Sequence, residues 1–271
     1  MTTIINLFTA GTDPEMFARR VDNGAITSVA GLLGCSKEKK LDLSSNVRLQ
    51  EDNVLAEFDI NPCENFSQFN ESIQSGIDLT RALLATHGLD IAEGVSSHIY
   101  TNSELESFDK SAFVFGCTPD YNAMTGQKNP SPKAADPGLR TAGGHVHIGF
   151  PKGMRVMRET QMDAGVLCDY YLSLPSLVLD GDTRRKELYG KAGAIRFKEY
   201  GIEYRSLSNF WIFKEQLRRL IYGQVEKVVN ELVTDKVMEL NSILPVHQLQ
   251  EIINTNDVRQ AETYLSRFNI I

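Results

Sequence analysis

The chain has 271 residues, 42% of them hydrophobic and 23% charged, enough apolar material for a sizeable core. Its net charge of −7 lacks the basic footprint that nucleic-acid binding needs and argues against docking on anionic lipid. No apolar run approaches the roughly 18 residues of a membrane span, and the N-terminus MTTIINLF has no signal-peptide pattern. The four cysteines, Cys35, Cys63, Cys117 and Cys168, are far apart and lack CxxC spacing. They read as reduced, unpaired thiols of a cytoplasmic protein.

Residues 4–9 (IINLFT) are a short apolar run, followed by GTDPE, where Gly11 and Pro14 punctuate. Residues 52–61 (DNVLAEFDIN) alternate apolar and acidic positions with the strand period of two. Apolar residues three and four apart over 66–87 predict a helix, with Gly88 as its stop. A short apolar run covers 112–116, and Thr118 to Leu139 is rich in Pro, Gly and Asn. A loop of that length suits a lid or binding segment. Residues 141–150 read as a strand entered through Gly143 and Gly144, and 157–179 as a long amphipathic helix interrupted near Pro175. A second loop precedes the strand 201–207, and from Phe213 the pattern is helical. One α+β catalytic domain over 1–271 is expected, strand-rich over 1–212 and helical over 213–271.

Four strand-like segments carry polar residues at i and i+2, which face one side of a strand. These are Asp13 with Glu15, Glu57 with Asp59, His145 with His147, and Glu203 with Arg205. One such pair means little, because the solvated side of an antiparallel sheet is normally polar. Here the polar positions are carboxylates and imidazoles rather than Lys, Thr or Ser, with apolar neighbours such as Phe58, Ile60, Val146 and Ile148. On a shared sheet they would form a self-repelling cluster unless cations filled it, and oxygen-rich donors with an occasional imidazole suit Mg²⁺ or Mn²⁺. Arg140, Arg184, Arg185, Arg196 and Arg205 are interleaved with them, and the arginine fork suits phosphate. Neither a P-loop nor a Rossmann fingerprint is present, so a nucleotide would need another kind of fold. His87, His98 and His247 lack partners in sequence and read as surface or capping residues.

The segments GTDPEMF, VLAEFDINPCEN, GGHVHIGF, YGKAGAIR and GIEYRSLSNFW occur together in this order. Over roughly residues 8–215 the chain thereby resembles the phage (phiEco32-like) carboxylate–amine ligases, amidoligases of the glutamine synthetase and glutamate–cysteine ligase superfamily. The resemblance implies an α+β, glutamine-synthetase-like fold: a curved, mostly antiparallel sheet with metal ligands on its concave face and helices on its outer face. It also implies ATP and Mg²⁺ (or Mn²⁺) as cofactors, with Glu15, Glu57 and Glu203 as metal ligands. His145 or His147 matches the histidine at the metal and the nucleotide phosphates; His145 is read as the ligand and His147 as facing the nucleotide. Arg196 and Arg205 match arginines that contact the transferred phosphate. The acidic opening here is DPE rather than an EEE-like run, which leaves open whether Asp13 or Glu15 faces inward.

The activity so implied is ATP-dependent amide formation between a carboxylate and an amine through an acyl phosphate. Asp13 or Asp59 would take the amine's proton, and Tyr121 and Asn122 would contact substrate from the 118–139 segment. The partners would be small-molecule or peptide substrates, and the location the cytoplasm of a bacterial host. A guanidino-kinase-like phosphotransferase and an inactive ligase-like binding protein are the alternatives on the same fold. A metal-dependent hydrolase with an HxH strand is remote, because the chain has too few histidines and lacks regular βα alternation.

Overall fold

In chain order the strands are β1 (Thr9–Met16), β2 (Ala18–Arg20), β3 (Ile26–Thr27), β4 (Leu41–Asp42), β5 (Val47–Asp52), β6 (Leu55–Ile60), β7 (Leu89–Ile91), β8 (Ser97–Ile99), β9 (Tyr121–Asn122), β10 (Leu139–Thr141), β11 (Gly144–Gly149), β12 (Ala194–Lys198) and β13 (Gly201–Tyr204). The helices are α1 (Phe66–Ala85), α2 (Asn102–Ser107), α3 (Arg158–Cys168), α4 (Leu174–Leu179), α5 (Arg185–Leu188), α6 (Glu215–Glu231), α7 (Lys236–Ile243), α8 (Val246–Thr255) and α9 (Val258–Phe268). These elements belong to a computed structural model that describes residues 8–113, 119–133, 136–268 and 270. Most of the 4–9 run, part of the 112–116 run, Cys117, and Thr118, Ala134 and Ala135 of the long loop lie outside the described residues.

Eight strands form one sheet in the order β4-β5-β6-β1-β11-β13-β12-β9, every neighbour antiparallel. Two smaller antiparallel sheets, β10-β8 and β3-β2-β7, lie beside it. The expectation of a curved, glutamine-synthetase-like sheet is corrected. The large sheet ends on two edges, the two-residue strands β4 and β9, which do not meet; it is neither closed nor strongly curled. Curvature was implied by the resemblance, and nothing in the strand sequences themselves demands it.

The period-two pattern sorts the sheet into faces. Val47, Leu49, Phe58, Ile60, Val146, Ile148, Ile195, Ile202 and Tyr204 are buried on one side, against α1 and α3, with α6 packed on those two helices. Each such side chain contributes about 1.5–3 kcal/mol when fully buried. The two helices that touch the strands approach through glycines. A Cβ on Gly76 of α1 would stand 2.4 Å from the Phe58 ring, and one on Gly165 of α3 would stand 2.6 Å from Ala123. Gly76→Val is therefore expected to lower stability by about 2–3 kcal/mol through overpacking, read as a reduced urea midpoint with unchanged slope.

Three local expectations are refined. The 52–61 alternation is split by a hairpin: Asp52 closes β5 opposite Leu55 of β6, and Asn53 turns the chain with φ 57°. Gly11 and Pro14 do not interrupt β1. Pro14 sits where the β1–β6 register slips by one residue, between Glu15↔Glu57 and Ala10↔Cys63, so its missing N–H breaks no regular ladder. The 157–179 helix runs as α3, a π-helical turn over Asp169–Ser173 and α4, with Pro175 in the first turn of α4. α1 ends before Gly88 as the spacing predicts. Cys35, Cys63 and Cys168 are free and buried. Among the described residues no helix is long and apolar enough to cross a membrane.

Candidate active site

The polar face of the large sheet floors a cavity of about 590 Å³. Register alone brings its residues together: Asp13 lies opposite His145, Glu15 opposite Glu57, His147 opposite Glu203, and Arg196 opposite Glu203. The i, i+2 pairs thus face the same side across six adjacent strands, from Gln50 on β5 to Lys198 on β12.

Two sets of donors lie within the cavity, each with ligand atoms mutually within 4.8 Å: Asp13–His147–Glu203 and Glu15–Asp52–Glu57. In the first, Asp13 Oδ1 lies 3.1 Å from His145 Nδ1 and 3.2 Å from His147 Nε2. Burial alone would raise the Asp13 carboxyl, but the charges of His147 and His145 hold it well below the usual range. Burial likewise pushes the Glu203 carboxyl up and Asp13 adds to that push, yet Arg205 and both imidazoles bring it down to about 2. Glu203 is 1% exposed and bonds Arg205, Arg196 (2.9 Å) and Lys198 (2.7 Å). His145, pushed down to about 4 by burial and by Arg205, is neutral at pH 7 and donates from Nδ1 to Asp13.

The second set has the opposite character. Burial raises Glu57 well above the usual range, and Asp13, Asp52 and Glu15 add to the rise. Glu15 is raised to about 7 by burial and by Asp52, against the Gly143 N–H, Arg185 and Arg205. Buried carboxylates that elevate one another suit a bound cation. One unpartnered atom points the same way: Gln50 Oε1 is buried and makes no hydrogen bond among the described residues, although Gln50 Nε2 donates to Glu57 (2.7 Å). His147 Nδ1 lies 2.6 Å from the Tyr200 oxygen and its Nε2 3.2 Å from Asp13 Oδ1, which together fix the ring in the first donor set. The residues present therefore fit a divalent cation with oxygen ligands and one imidazole.

Gly143 and Gly144 are small because their own chain crowds them. A Cβ on Gly143 would meet His145 Nε2 at 2.6 Å, and one on Gly144 the Ser208 carbonyl at 2.5 Å. The Gly143 N–H donates to Glu15 at 2.5 Å and locks that carboxylate in place.

Other sequence candidates are placed differently. Asp59 joins neither set; its oxygens are held by Lys40 (2.6 Å) and Arg48 (2.6 Å) at one edge of the cavity. Arg140 lines the cavity while bonding Asn53 Oδ1 and the carbonyls of Pro137 and Leu139. Arg185 is buried, bonds the Ser206 and Arg205 carbonyls, and lies within electrostatic reach of Glu15. Arg184 is exposed and outside the cavity lining. Tyr121 and Asn122 on β9 are also outside it: Tyr121 packs on Phe197, and Asn122 donates to Gln250. His87 and His247 are exposed, and His98 packs edge-on against Tyr100. Asp52, Gln50 and Lys198 are the residues sequence reasoning missed. Val47-Arg48-Leu49-Gln50-Glu51-Asp52 alternates as cleanly as the strands it singled out.

A family model matches part of this chain. Residues 138–250 match the model described as phage phiEco32-like COOH.NH2 ligase-type 2. The matched segment carries β11, β12 and β13, and with them His145, His147, Arg196, Glu203 and Arg205. No curated protein matches the chain. Among solved structures it is similar to one titled "Crystal structure of novel glutamine synthase homolog", at 10% identity. That alignment covers 96% of this chain and 67% of the other, with a TM-score of 0.40.

The acid cluster predicts a pH-dependent response to metal. Glu15 titrates higher folded (about 7) than unfolded (about 4.3), so its contribution to stability is complete below the lower value. That contribution is lost as pH rises through the upper one. Mg²⁺ or Mn²⁺ should therefore raise the melting temperature by roughly 5 °C more at pH 8 than at pH 5.5. Equal shifts at both values in differential scanning fluorimetry would refute this.

Proposed function

We propose that the chain is an ATP-dependent carboxylate–amine ligase that forms an amide through an acyl phosphate. The observation that carries this reading is the pair of carboxylate-rich ligand sets side by side on one sheet face, flanked by Arg185, Arg196 and Arg205. The match to a phage COOH.NH2 ligase model over 138–250 supports it independently.

Magnesium held by the two sets, together with ATP, would supply the charge neutralisation and leaving group that phosphoryl transfer to a carboxylate requires. Glu15, Asp52 and Glu57 offer one set of donors and Asp13, His147 and Glu203 the other. Arg205 and Arg196, both fixed on Glu203, place their positive charge beside the negative charge that would develop above the sheet. The attacking amine must be neutral, and proton acceptance falls to a cavity carboxylate. Asp59 is unsuited to that role because two cations hold it, and Asp120, 3.7 Å from Arg205 at the cavity wall, is better placed.

The test is ADP release with Mg²⁺ across a panel of amino acids and small carboxylates. ADP formed only when a carboxylate and an amine are both present supports the ligase reading. ADP formed with a guanidine alone points to phosphotransfer without ligation. Failure to bind Mg–ATP removes the reading.

A further inference from the structure

Arg48, Gln50 and Asp52 of β5 line the cavity, so Glu51 points to the other side of the sheet, with Val47 and Leu49. There its carboxylate meets a turn. Oε2 accepts from Gly31 N (2.7 Å), and Oε1 accepts from Leu33 N (2.6 Å) and Gly34 N (3.1 Å). The backbone suits this grip, because Gly31 and Gly34 take φ of 75° and 67° and let the N–H groups converge on one anion.

Beyond the turn the chain rounds the sheet edge. Leu33 and Cys35 are buried in the core, and the Ser36 and Lys39 backbones bond each other (2.9 and 3.1 Å). Lys37 and Lys40 then line the cavity. Lys40 bonds Asp59 at 2.6 Å, and the charge of Lys37 bears on Asp52. Burial raises the Asp52 carboxyl, and Lys37 is the foremost charge working against that rise. Glu38, the other acid beside Lys37, accepts from Ser36 Oγ (3.0 Å) outside the cavity lining. Downstream the hold on this segment is short: Lys40 on Asp59, then β4, which pairs with β5 through Leu41 and Asp42.

We propose that Glu51 is a positioning residue: by clamping the Gly31–Gly34 turn it keeps Lys37 at the Glu15–Asp52–Glu57 set, where the ammonium competes with a divalent cation. The inference rests on that set being a metal site and adds what tunes it. A tethered ammonium brings one positive charge where the metal ion would bring two, so it steadies the acid cluster without filling it. It also repels the incoming ion across the carboxylate that both would use, and so lowers metal affinity. Lys37 is exposed, which keeps the effect modest and open to screening by salt. Without the clamp, a long side chain on a loose loop spreads its charge over many positions, and the repulsion fades.

Glu51→Gln tests this, with Mn²⁺ alone as the probe, followed by electron paramagnetic resonance and calorimetry. An amide cannot accept from all three donors: whichever way it turns, its NH₂ meets the N–H of Gly31 or those of Leu33 and Gly34. The variant should bind Mn²⁺ about threefold more tightly than the wild type, at the site that Glu57→Gln abolishes. Lys37→Met should gain about fivefold, and the double variant should match Lys37→Met within about twofold rather than reach the product of the two. In about 0.5 M KCl each gain should shrink below about twofold. A purely structural clamp would lower the melting temperature and leave Mn²⁺ affinity unmoved. Unchanged affinity in Glu51→Gln, no gain in Lys37→Met, or gains that multiply in the double variant each overturn the inference. Glu51→Asp, one methylene too short to hold both ends of the turn, gives the same comparison if the glutamine variant does not fold. Wild-type protein without a Mn²⁺ site removes the metal reading and the inference together.

Discussion

Glu57→Gln should stabilise the metal-free protein while abolishing any metal-linked activity, and Glu203→Gln should do harm on both counts. The two carboxylates share a cavity, but their surroundings have opposite sign. Burial and then Asp13, Asp52 and Glu15 disfavour ionised Glu57, so stability from this group is present at low pH and lost as pH rises through its elevated folded value. A neutral isostere removes that penalty and keeps the contact with Gln50. At pH 8.5 without metal, a rise in melting temperature of roughly 3–6 °C is expected. Glu203 instead answers Arg205, Arg196 and Lys198, and its value of about 2 means that its stability is present above the unfolded value and lost as pH falls. Leaving those cations unpaired costs about 3 kcal/mol, a drop of roughly 6–12 °C. Both variants should lose metal-induced stabilisation, and at least a thousandfold in any Mg–ATP turnover. Metal shifts in scanning calorimetry that match the wild type in both variants would show that neither carboxylate holds a cation.

The second large effect lies outside the cavity. Asp169, fully buried in the π-helical turn, accepts from Gly193 N (2.7 Å), Tyr204 Oη (2.7 Å) and Gln250 Nε2 (3.1 Å). It ties the turn after α3 to β13, to α8 and to the loop that enters β12. Asp169→Ala strands these donors and should cost about 3–5 kcal/mol, or roughly 10 °C in melting temperature. Burial raises the Asp169 carboxyl to about 6 despite its three donors. Its contribution is thus greatest below pH 4 and fades as pH passes 6, so Asp169→Asn should flatten the stability profile between pH 5 and 7.5. A melting temperature for Asp169→Ala within 2 °C of the wild type would contradict the role assigned here.

The grouping of polar residues was legible because a strand has period two. Asp13 with Glu15, His145 with His147, and Glu203 with Arg205 each declare one face, and antiparallel register needs only to align them. Asp52 is hidden in the sequence because the 52–61 alternation places it at the start of a strand, whereas it ends β5 and the Asn53 turn follows. The choice between His145 and His147 was not legible, since both face the cavity and only the Asp13, Arg205 and Tyr200 contacts distinguish them. Asp59 looked identical to Glu57 in sequence, yet Lys40 and Arg48 neutralise it from other strands. Tyr121 and Asn122 lie in a Pro/Gly/Asn-rich segment that suits substrate contact, but pairing with β12 directs them to structural contacts. The openness of the large sheet was out of reach too. It depends on where the strand pairing stops, at β4 and β9, rather than on any residue within the strands.

The central position of β1 has a consequence for the nascent chain. Its neighbour β11 follows far along the sequence: the Thr12 hydroxyl donates to the His145 carbonyl across a separation of 133 residues. At the pace of a ribosome the first strand waits roughly 7–27 s for that partner, and longer for the strand bearing Glu203. Until then Asp13 lacks His147 and Glu203, so the Asp13–His147–Glu203 set cannot form on a partial product, whereas Glu15, Asp52 and Glu57 lie on strands that are made early. Assembly of this centre is a late, long-range event, of the kind that makes folding slow and rewards protection of the waiting strand.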